Sequence, residues 1–463
     1  MPPKFGTSGL RGLVTELTDG LCADYAQAFL SGAETNGSVL IGQDLRDSSP
    51  RIARAVAQGA ARAGLRAIDC GVLPTPALAL AAMTQGTAAI MITGSHIPAD
   101  RNGLKFYTRF GEITKDDETA IAQAMVALPP AADAEPKMET DSTALAAFTT
   151  RYTSFFSSDA LAGLRIGVYE HSSAARACLS DILAGLGADV VPLGRSDTFI
   201  PVDTEALDPE TQGMLAGWAA EHGLHAVVST DGDADRPMLA DAKGHVIPGD
   251  RLGPMTAQAL GAKTLVTPVS SNTLAEALDD TTVHRTRIGS PYVIAGMEAA
   301  LAAGATDVVG YEANGGFLIG FEAQADGRTL APLMTRDCVL PIVAPLALAR
   351  ASGQSIAELN AALPPRFTAA DRLVEVATEK SKALIADLFA GSDARGALFA
   401  PYGDIAEVDD TDGFRATFQD GLIIHLRPSG NAPECRVYVE AGTQDRADAT
   451  LSDMLVRVKT ALT

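Results

Sequence analysis

The chain has 463 residues, enough for about three domains at roughly 150 residues each. Hydrophobic residues make up 47% and charged residues 20%, an ordinary balance for a folded protein, which excludes disorder on a large scale. Its 36 Lys and Arg against 57 Asp and Glu leave a net charge of −21, which repels phosphate backbones and argues against nucleic-acid binding, although a local basic pocket can still take an anion.

One arrangement recurs three times along the chain. Val39-Leu40-Ile41-Gly42 is a short apolar run, followed by a polar turn, a helical stretch from about Pro50 to Ala63, and a second strand from Leu65 to Cys70. Arg165 to Tyr169 repeats the pattern, with a polar His171-Ser172-Ser173, a helix through Leu186 and a strand from Ala188 to Pro192. Leu265 to Val269 opens the third unit, with Ser270-Ser271-Asn272 and a helix expected from Thr273. Strand, polar turn and helix in series predict βαβ units with right-handed crossovers. From residue 366 the pattern changes to a helix near Glu379–Leu388 and alternating strands at Phe414–Phe418 and Gly421–Leu426. Breaks fall at the Pro/Ala-rich segment 129–136, at Gly244 to Gly249 and at Pro364-Pro365. The expected fold class is α/β, with four domains spanning 1–135, 136–245, 246–365 and 366–463. The first three are similar α/β domains with mixed sheets, and the last is a smaller α+β domain.

The five cysteines, Cys22, Cys70, Cys178, Cys338 and Cys435, form no C-x-x-C pair and are odd in number. That speaks against a disulfide scaffold or structural zinc and suits a reducing cytoplasm. The N-terminal Met1–Gly6 lacks the apolar core of a signal peptide. The longest apolar stretch, Cys338 to Ala349, is too short for a bilayer and carries two prolines. A cytoplasmic protein without a membrane or nucleic-acid partner is expected.

Four segments carry chemistry, one per domain. Ala88 to Ile92 runs into Thr93-Gly94-Ser95-His96-Ile97-Pro98, which puts Ser95 at the carboxyl end of a strand, where α/β sites gather. A serine there can act as a nucleophile or carry a phosphoryl group, with His96 and Lys105 to serve it. A turn serine capping a helix is the plainer reading. Asp231-Gly232-Asp233-Ala234-Asp235-Arg236 follows the strand Ala226–Ser229 and is expected to set three carboxylates on one side of an extended loop, hard ligands for Mg²⁺. An EF-hand is excluded, because Arg236 and Ala242 stand where its glycine and glutamate belong. Glu312 and Asn314, after Val308-Val309, face one way if their loop is extended and suit vicinal sugar hydroxyls. An Asn-Gly turn is the equal alternative. His425-Leu426-Arg427-Pro428-Ser429-Gly430-Asn431 delivers an arginine and exposed N–H groups to a phosphate, or is a structural turn. The glycine-rich Gly6–Gly12, with Arg11, adds a second loop able to embrace phosphate. His171, His222, His225 and Trp218 are read as packing or surface residues.

In this order the segments resemble the α-D-phosphohexomutase superfamily, the phosphomannomutases, phosphoglucomutases and phosphoglucosamine mutases, over the whole chain. The resemblance implies four domains around a central cleft and a phosphorylated Ser95. It implies one Mg²⁺ held by Ser95, Asp231, Asp233 and Asp235. Lys105, Arg236, Arg11 and His96 would line the transferring phosphoryl group, and Glu312 and Asn314 the sugar hydroxyls. Arg427, Ser429, Gly430 and Asn431 would hold the distal phosphate. The segment Thr286–Val293 resembles the family's third-domain specificity loop, which brings Arg287 and Gly289 to the substrate. Two departures stand out: Ile97 where asparagine is usual, and Asn314 where serine is common. The activity implied is interconversion of hexose 6-phosphate and hexose 1-phosphate, mannose foremost, with hexose 1,6-bisphosphate as activator. Glucosamine and glucose phosphates are the nearest alternatives, and small sugar phosphates the partners of a monomer or homodimer. A phosphatase with Asp231 as nucleophile leaves Ser95 and the Arg427 loop without roles. A non-catalytic sugar-phosphate-binding protein would not need Ser95, three aspartates and Lys105.

Overall fold

Runs such as Val39-Leu40-Ile41, Ile90-Met91-Ile92 and Val227-Val228 are wholly buried, and each lies inside a sheet covered on both faces. The computed structural model describes residues 3–6, 9–128, 135–429 and 433–462. Three sheets repeat one topology. In the first, Arg66–Val72, Ser38–Gln43 and Ala88–Ile92 run parallel and Arg101–Thr108 returns antiparallel. In the second the same places are taken by Asp189–Leu193, Arg165–Tyr169, Ala226–Thr230 and Pro237–Ala240. In the third they are Thr282–Thr286, Thr264–Pro268, Val308–Tyr311 and Phe317–Ile319. The turn between the third and fourth strands therefore emerges at the carboxyl end of a central strand in all three sheets. Those turns are the Ser95, Asp231–Arg236 and Glu312–Gly316 segments.

The fourth sheet is entirely antiparallel, in the order Phe367–Val374, Glu434–Ala441, Ile423–Pro428, Phe414–Phe418 and Ile405–Asp409. It packs under helices Thr378–Ala390 and Gln444–Leu462 and keeps its own core, with Phe414, Ile424, Val437 and Met454. One continuous core, by contrast, runs from Leu78 and Met91 through Ile166 and Leu239 to Tyr311 and Leu340. The fourth unit meets the rest largely through polar contacts. Glu440 accepts from the Thr273 amide at 3.1 Å and its hydroxyl at 2.5 Å, and Asp250 accepts from Thr368 at 3.2 Å. No described helix is long and apolar enough to cross a membrane.

Most expected elements lie within a few residues of their expected ends, but the helix from Thr273 does not. It is a single 3₁₀ turn, Thr273–Ala277, capped by Asn272 and stopped at an extended Leu278. The β-branched Thr281-Thr282-Val283 then favours a strand, and the helix of that unit is Ser290–Ala302. Helix Ser392–Phe399 and the long terminal helix Gln444–Leu462 add to the expected elements. Most of the expected linker, residues 129–134, lies outside the described residues.

Helix Gly249–Leu260 sets the height of the sugar-loop segment by backbone contact. A Cβ on Gly249 would come within 2.2 Å of the Gly315 nitrogen and 2.3 Å of the Ala313 oxygen. Gly249→Ala should therefore cost about 1–3 kcal/mol by overpacking. Calorimetry should show a lowered melting midpoint, and an unchanged one would mean that the loop simply gives way.

Two buried histidines make stability depend on pH. His171 Nε2 lies 2.9 Å from the Thr230 oxygen and His425 Nε2 lies 2.6 Å from the Asp412 oxygen. Burial lowers both imidazoles from 6.5 to about 4. The unfolded chain thus binds more protons below pH 6.5, so stability falls as pH drops from about 6.5 to about 4. Ring signals in NMR should stay neutral through pH 6 in the folded protein. A transition near 6.5 at either ring would contradict this.

Candidate functional site

Ser95 sits in a left-handed backbone conformation, φ 55°, uncommon for a side chain with a Cβ. Its amide donates to Thr93 Oγ1 at 2.7 Å. The buried Arg46 holds the rest of the loop. Its Nη2 donates to the Ser95 oxygen at 2.8 Å and the Ile97 oxygen at 2.6 Å, and its Nη1 to the oxygens of Pro98 and Arg101 at 2.8 and 3.1 Å. Nε pairs with Asp44 at 3.1 Å, and the guanidinium lies 3.9 Å over the Phe199 ring. Gly94 is required beneath it, since a Cβ there would meet Arg46 Cζ at 2.8 Å. A planar, five-donor group is suited to cradling a loop of carbonyls in this way.

The loop projects Ser95 Oγ onto the second domain, where it donates to Asp231 Oδ2 at 2.7 Å. The aspartate segment is a turn and not the extended loop expected, with Ala234 at φ 56° and its amide bonded to the Asp231 oxygen. The turn still brings together carboxylate oxygens of Asp231, Asp233 and Asp235 within 4.8 Å of one another. Lys105 Nζ bridges Asp233 and Asp235 at 2.6 and 2.5 Å, and Thr75 donates to Asp233 at 2.6 Å. Asp233 Oδ1, Asp235 Oδ1 and Arg236 Nε are buried without a hydrogen-bond partner among the described residues. Unpaired buried oxygens beside a buried hydroxyl fit a hard divalent cation.

Charge governs this pocket. Burial, then Asp233 and Asp235, push the Asp231 carboxyl well above its ordinary range. Burial opposes ionisation of Asp235 too, but Lys105, Arg336 and Arg236 together outweigh it and hold the group down. Arg236, then burial, then Arg11 force the His96 imidazole low, so it stays neutral 3.3 Å from Ser95 Oγ. Arg11 lies on Leu10–Leu13 opposite Gly103, and burial followed by Arg236 brings it down to about 10. From the third domain Arg336 pairs with Glu312 at 2.5 Å and Asp235 at 3.3 Å. The Glu312 loop is closed by a bond from the Gly315 amide to the Glu312 oxygen at 2.9 Å. Asn314 Oδ1 accepts from the Gly316 amide at 2.9 Å, so Glu312 and Asn314 do not share an extended face. The Asn-Gly turn wins because Gly315, at φ 89°, takes the left-handed place such a turn needs.

A serine hydroxyl, three carboxylates, four cations and a glutamate thus converge from three sheets of one topology. Four family models match the chain in succession. They are described as phosphoglucomutase/phosphomannomutase alpha/beta/alpha domain I (residues 2–129), domain II (146–244), domain III (248–367) and C-terminal domain (368–457). The chain belongs to the phosphoglucomutase/phosphomannomutase family. It is 46% identical over 473 residues to a phosphomannomutase of Sinorhizobium fredii, covering all of both chains. It is 43% identical over 467 residues to a phosphomannomutase of Salmonella muenchen, covering 99% of this chain and 96% of that one. Its fold is similar to the crystal structure of a phosphoglucomutase/phosphomannomutase family protein from Burkholderia thailandensis, with a TM-score of 0.76 at 22% identity, over 98% of this chain and 96% of that one.

In this family member Ser95, His96, Lys105, Arg236, Asp231, Asp233, Asp235, Arg11 and Glu312 gather at one place. Others stand apart, at the seam of the third and fourth domains. Arg287 is exposed and donates through Nε to the Thr411 oxygen at 3.1 Å. Gly289, at φ 128°, precedes helix Ser290–Ala302. Arg427 Nε pairs with Asp412 Oδ1 at 3.1 Å, and Asp412 Oδ2 accepts from the Ile288 amide at 3.0 Å. The Ser429 amide bonds the Glu434 oxygen at 2.9 Å, and Gly430 and Asn431 lie outside the described residues, as do Thr7 and Ser8 of the N-terminal loop. Trp218 packs on Tyr169, ring centroids 5.3 Å apart. Arg46, Thr75, Arg336 and Asp412 are site residues that the sequence alone does not single out. Asp44-Leu45-Arg46, directly after a strand, is a usable signal for the first. The others act across domains and leave no local trace.

Arg46 offers a test of how the loop is built. Arg46→Met removes a buried cation and strands Asp44 and four carbonyl contacts. Losing one partner of a buried pair costs about 3–5 kcal/mol. Urea unfolding should show a loss of that order, and one below about 1 kcal/mol would mean that the loop is held by other contacts.

Proposed function

We propose that the chain is a phosphohexomutase that interconverts hexose 6-phosphate and hexose 1-phosphate, mannose first, through a phosphorylated Ser95 and a hexose 1,6-bisphosphate. The observation that carries this reading is the 2.7 Å bond from Ser95 Oγ to the aspartate cluster, with Lys105 on the other two carboxylates. The preference for mannose rests on the full-length relatives named phosphomannomutase. Asp231 as a phosphatase nucleophile is disfavoured, since Oδ2 takes the serine hydroxyl and Oδ1 accepts the amides of Asp235 and Arg236 at 3.2 Å each.

Direct transfer between O6 and O1 would need two distant oxygens at one phosphorus. A phosphoserine avoids this. Its P–Oγ bond breaks as a P–O bond forms to one sugar hydroxyl, giving a bisphosphate. After the sugar turns over, the other phosphoryl group returns to Ser95. The proton of the attacking hydroxyl ends on Ser95 Oγ in the first half and is given back in the second. Neutral His96, 3.3 Å from that oxygen, is placed to hand it over. Asp231, Asp233 and Asp235, with an oxygen on Ser95, would hold Mg²⁺, which when bound neutralises phosphoryl charge. Lys105, Arg11 and Arg236 neutralise and orient the same oxygens. Glu312 takes sugar hydroxyls, joined by Asn314 through its side-chain nitrogen, since Asn314 Oδ1 already accepts from the Gly316 amide. Arg427 and Ser429, with Gly430 and Asn431, take the distal phosphate, and Arg287 and Gly289 complete the mouth. Arg427 would leave Asp412 for that phosphate.

Intact mass and peptide mapping of the active enzyme should find one phosphate, on Ser95. Ser95→Ala should lower turnover at least about a thousandfold. Chelation should stop the wild type and Mg²⁺ restore it. Label found only on an aspartate, or release of free phosphate in place of isomerised sugar phosphate, would overturn the reading. A coupled assay across mannose, glucose and glucosamine phosphates ranks the substrates.

A further inference from the structure

Arg336 is a buried cation that none of the four recognised loops contains. It lies on Leu333–Asp337, a strand whose pairing with Phe317–Ile319 slips between Phe317 and Ile319. Such an irregularity re-aims side chains. Three consecutive residues of this strand reach three different parts of the molecule. Thr335 donates to Glu112 of the first sheet at 3.0 Å, and Asp337 accepts from Tyr152 at 2.6 Å. Arg336 between them is 4% exposed, with Nε on Glu312 Oε2 at 2.5 Å and Nη1 on Asp235 Oδ2 at 3.3 Å. Gly316 leaves the passage open, because a Cβ there would meet Arg336 Cδ at 2.8 Å. Strand, neighbour and partners thus fix the guanidinium before any ligand arrives.

We propose that Arg336 is the positioning residue for sugar selection, joining the hydroxyl-binding Glu312 to the aspartate turn as one rigid unit. The inference rests on the phosphohexomutase reading and deepens it. A glutamate free to change rotamer would accept several hydroxyl arrangements. Held by Nε at one oxygen, Glu312 keeps one rotamer and so presents its other oxygen to a hydroxyl in a single direction. The Nη1 contact fixes that direction relative to Asp235, and so to the phosphoryl group on Ser95. Discrimination between epimeric hexose phosphates then depends on Arg336 even where it touches no sugar. Lysine cannot replace it, since one ammonium on a flexible stem lacks the planar fork that holds both carboxylates in one geometry.

The test compares kcat/KM on mannose, glucose and glucosamine phosphates for wild type, Arg336→Lys, Arg336→Met, Glu312→Gln and the double variant Arg336→Met/Glu312→Gln. Arg336→Met should lower kcat/KM on the preferred sugar by about ten- to a hundredfold and bring the ratio between sugars to within a few-fold. In the Glu312→Gln background it should not change that ratio further, because the two act as one unit. Arg336→Lys keeps a cation and should recover part of kcat but not the ratio. It also serves if Arg336→Met fails to fold. A folded Arg336 variant with the wild-type ratio between sugars, whatever its kcat, would overturn the proposal. A wild type without mutase turnover would instead overturn the function on which it rests.

Discussion

Everything in this protein bends around a cluster of buried charge. Asp231, Asp233, Asp235 and Glu312 are all less than a tenth exposed, and Lys105, Arg236 and Arg336 are buried with them. Arg11 adds its charge from the first sheet. Isolated, any one of these groups would be prohibitively costly to remove from water. Together they offset one another, but only while the sheets that carry them stay in register. Lys105 comes from the first domain, the aspartates and Arg236 from the second, Arg336 and Glu312 from the third. The cluster therefore makes the relative placement of three domains a condition of its own stability, and the shared apolar core beneath it supplies the stiffness.

The repeated sheet explains how three domains can address one point. A strand order that puts the third strand centrally, followed by an antiparallel return, ejects a tight turn from the carboxyl end of a buried strand. Each copy puts different chemistry on that turn. The first presents a hydroxyl in a left-handed backbone, the second a cluster of carboxylates, and the third a glutamate on an Asx-closed loop. The fourth domain has no such strand end and is not tied into the shared core. Polar latches hold it instead, among them Glu440 with Thr273, Asp250 with Thr368, and Asp412 with Ile288. Two of these carboxylates, Asp250 and Glu440, are themselves buried, but each latch joins one pair of groups, whereas the cluster couples charges from three domains at once. Motion needed to admit and turn a bisphosphate is therefore expected at that seam and not between the first three domains.

Much of this is legible in the sequence, and for a definable reason. Apolar runs, polar turns and helical stretches are local, so the three βαβ units and a smaller fourth domain of helix and alternating strands can be read from pattern. The reactive segments follow strands, which marks Ser95, the Asp231–Arg236 turn, Glu312 and Arg427 as strand-end residues. Carboxylates crowded into Asp231-Gly232-Asp233-Ala234-Asp235 demand a cation in any fold that buries them, so their chemistry does not depend on the exact turn. Local signals fail where two conformations are close in energy. The stretch after Thr273 becomes a 3₁₀ turn, and the Asn314 loop closes on itself instead of extending.

What only the tertiary structure decided is which groups meet. Nothing in the spacing of Arg46 and Ser95, or of Arg336, Glu312 and Asp235, says that one guanidinium supports the serine loop while another bridges two domains. Arginine can span such distances and satisfies several acceptors at once, so its partners are chosen by packing and not by neighbours in the chain. The sequence by itself determined the chemical inventory and the strand ends that present it. The assembly of the three sheets determined the charge balance and the neutral state of His96, and the docking of the fourth domain determined the contacts of Arg287 with Thr411 and of Ile288 with Asp412, because electrostatic energy in a buried site depends on distances that no local pattern encodes.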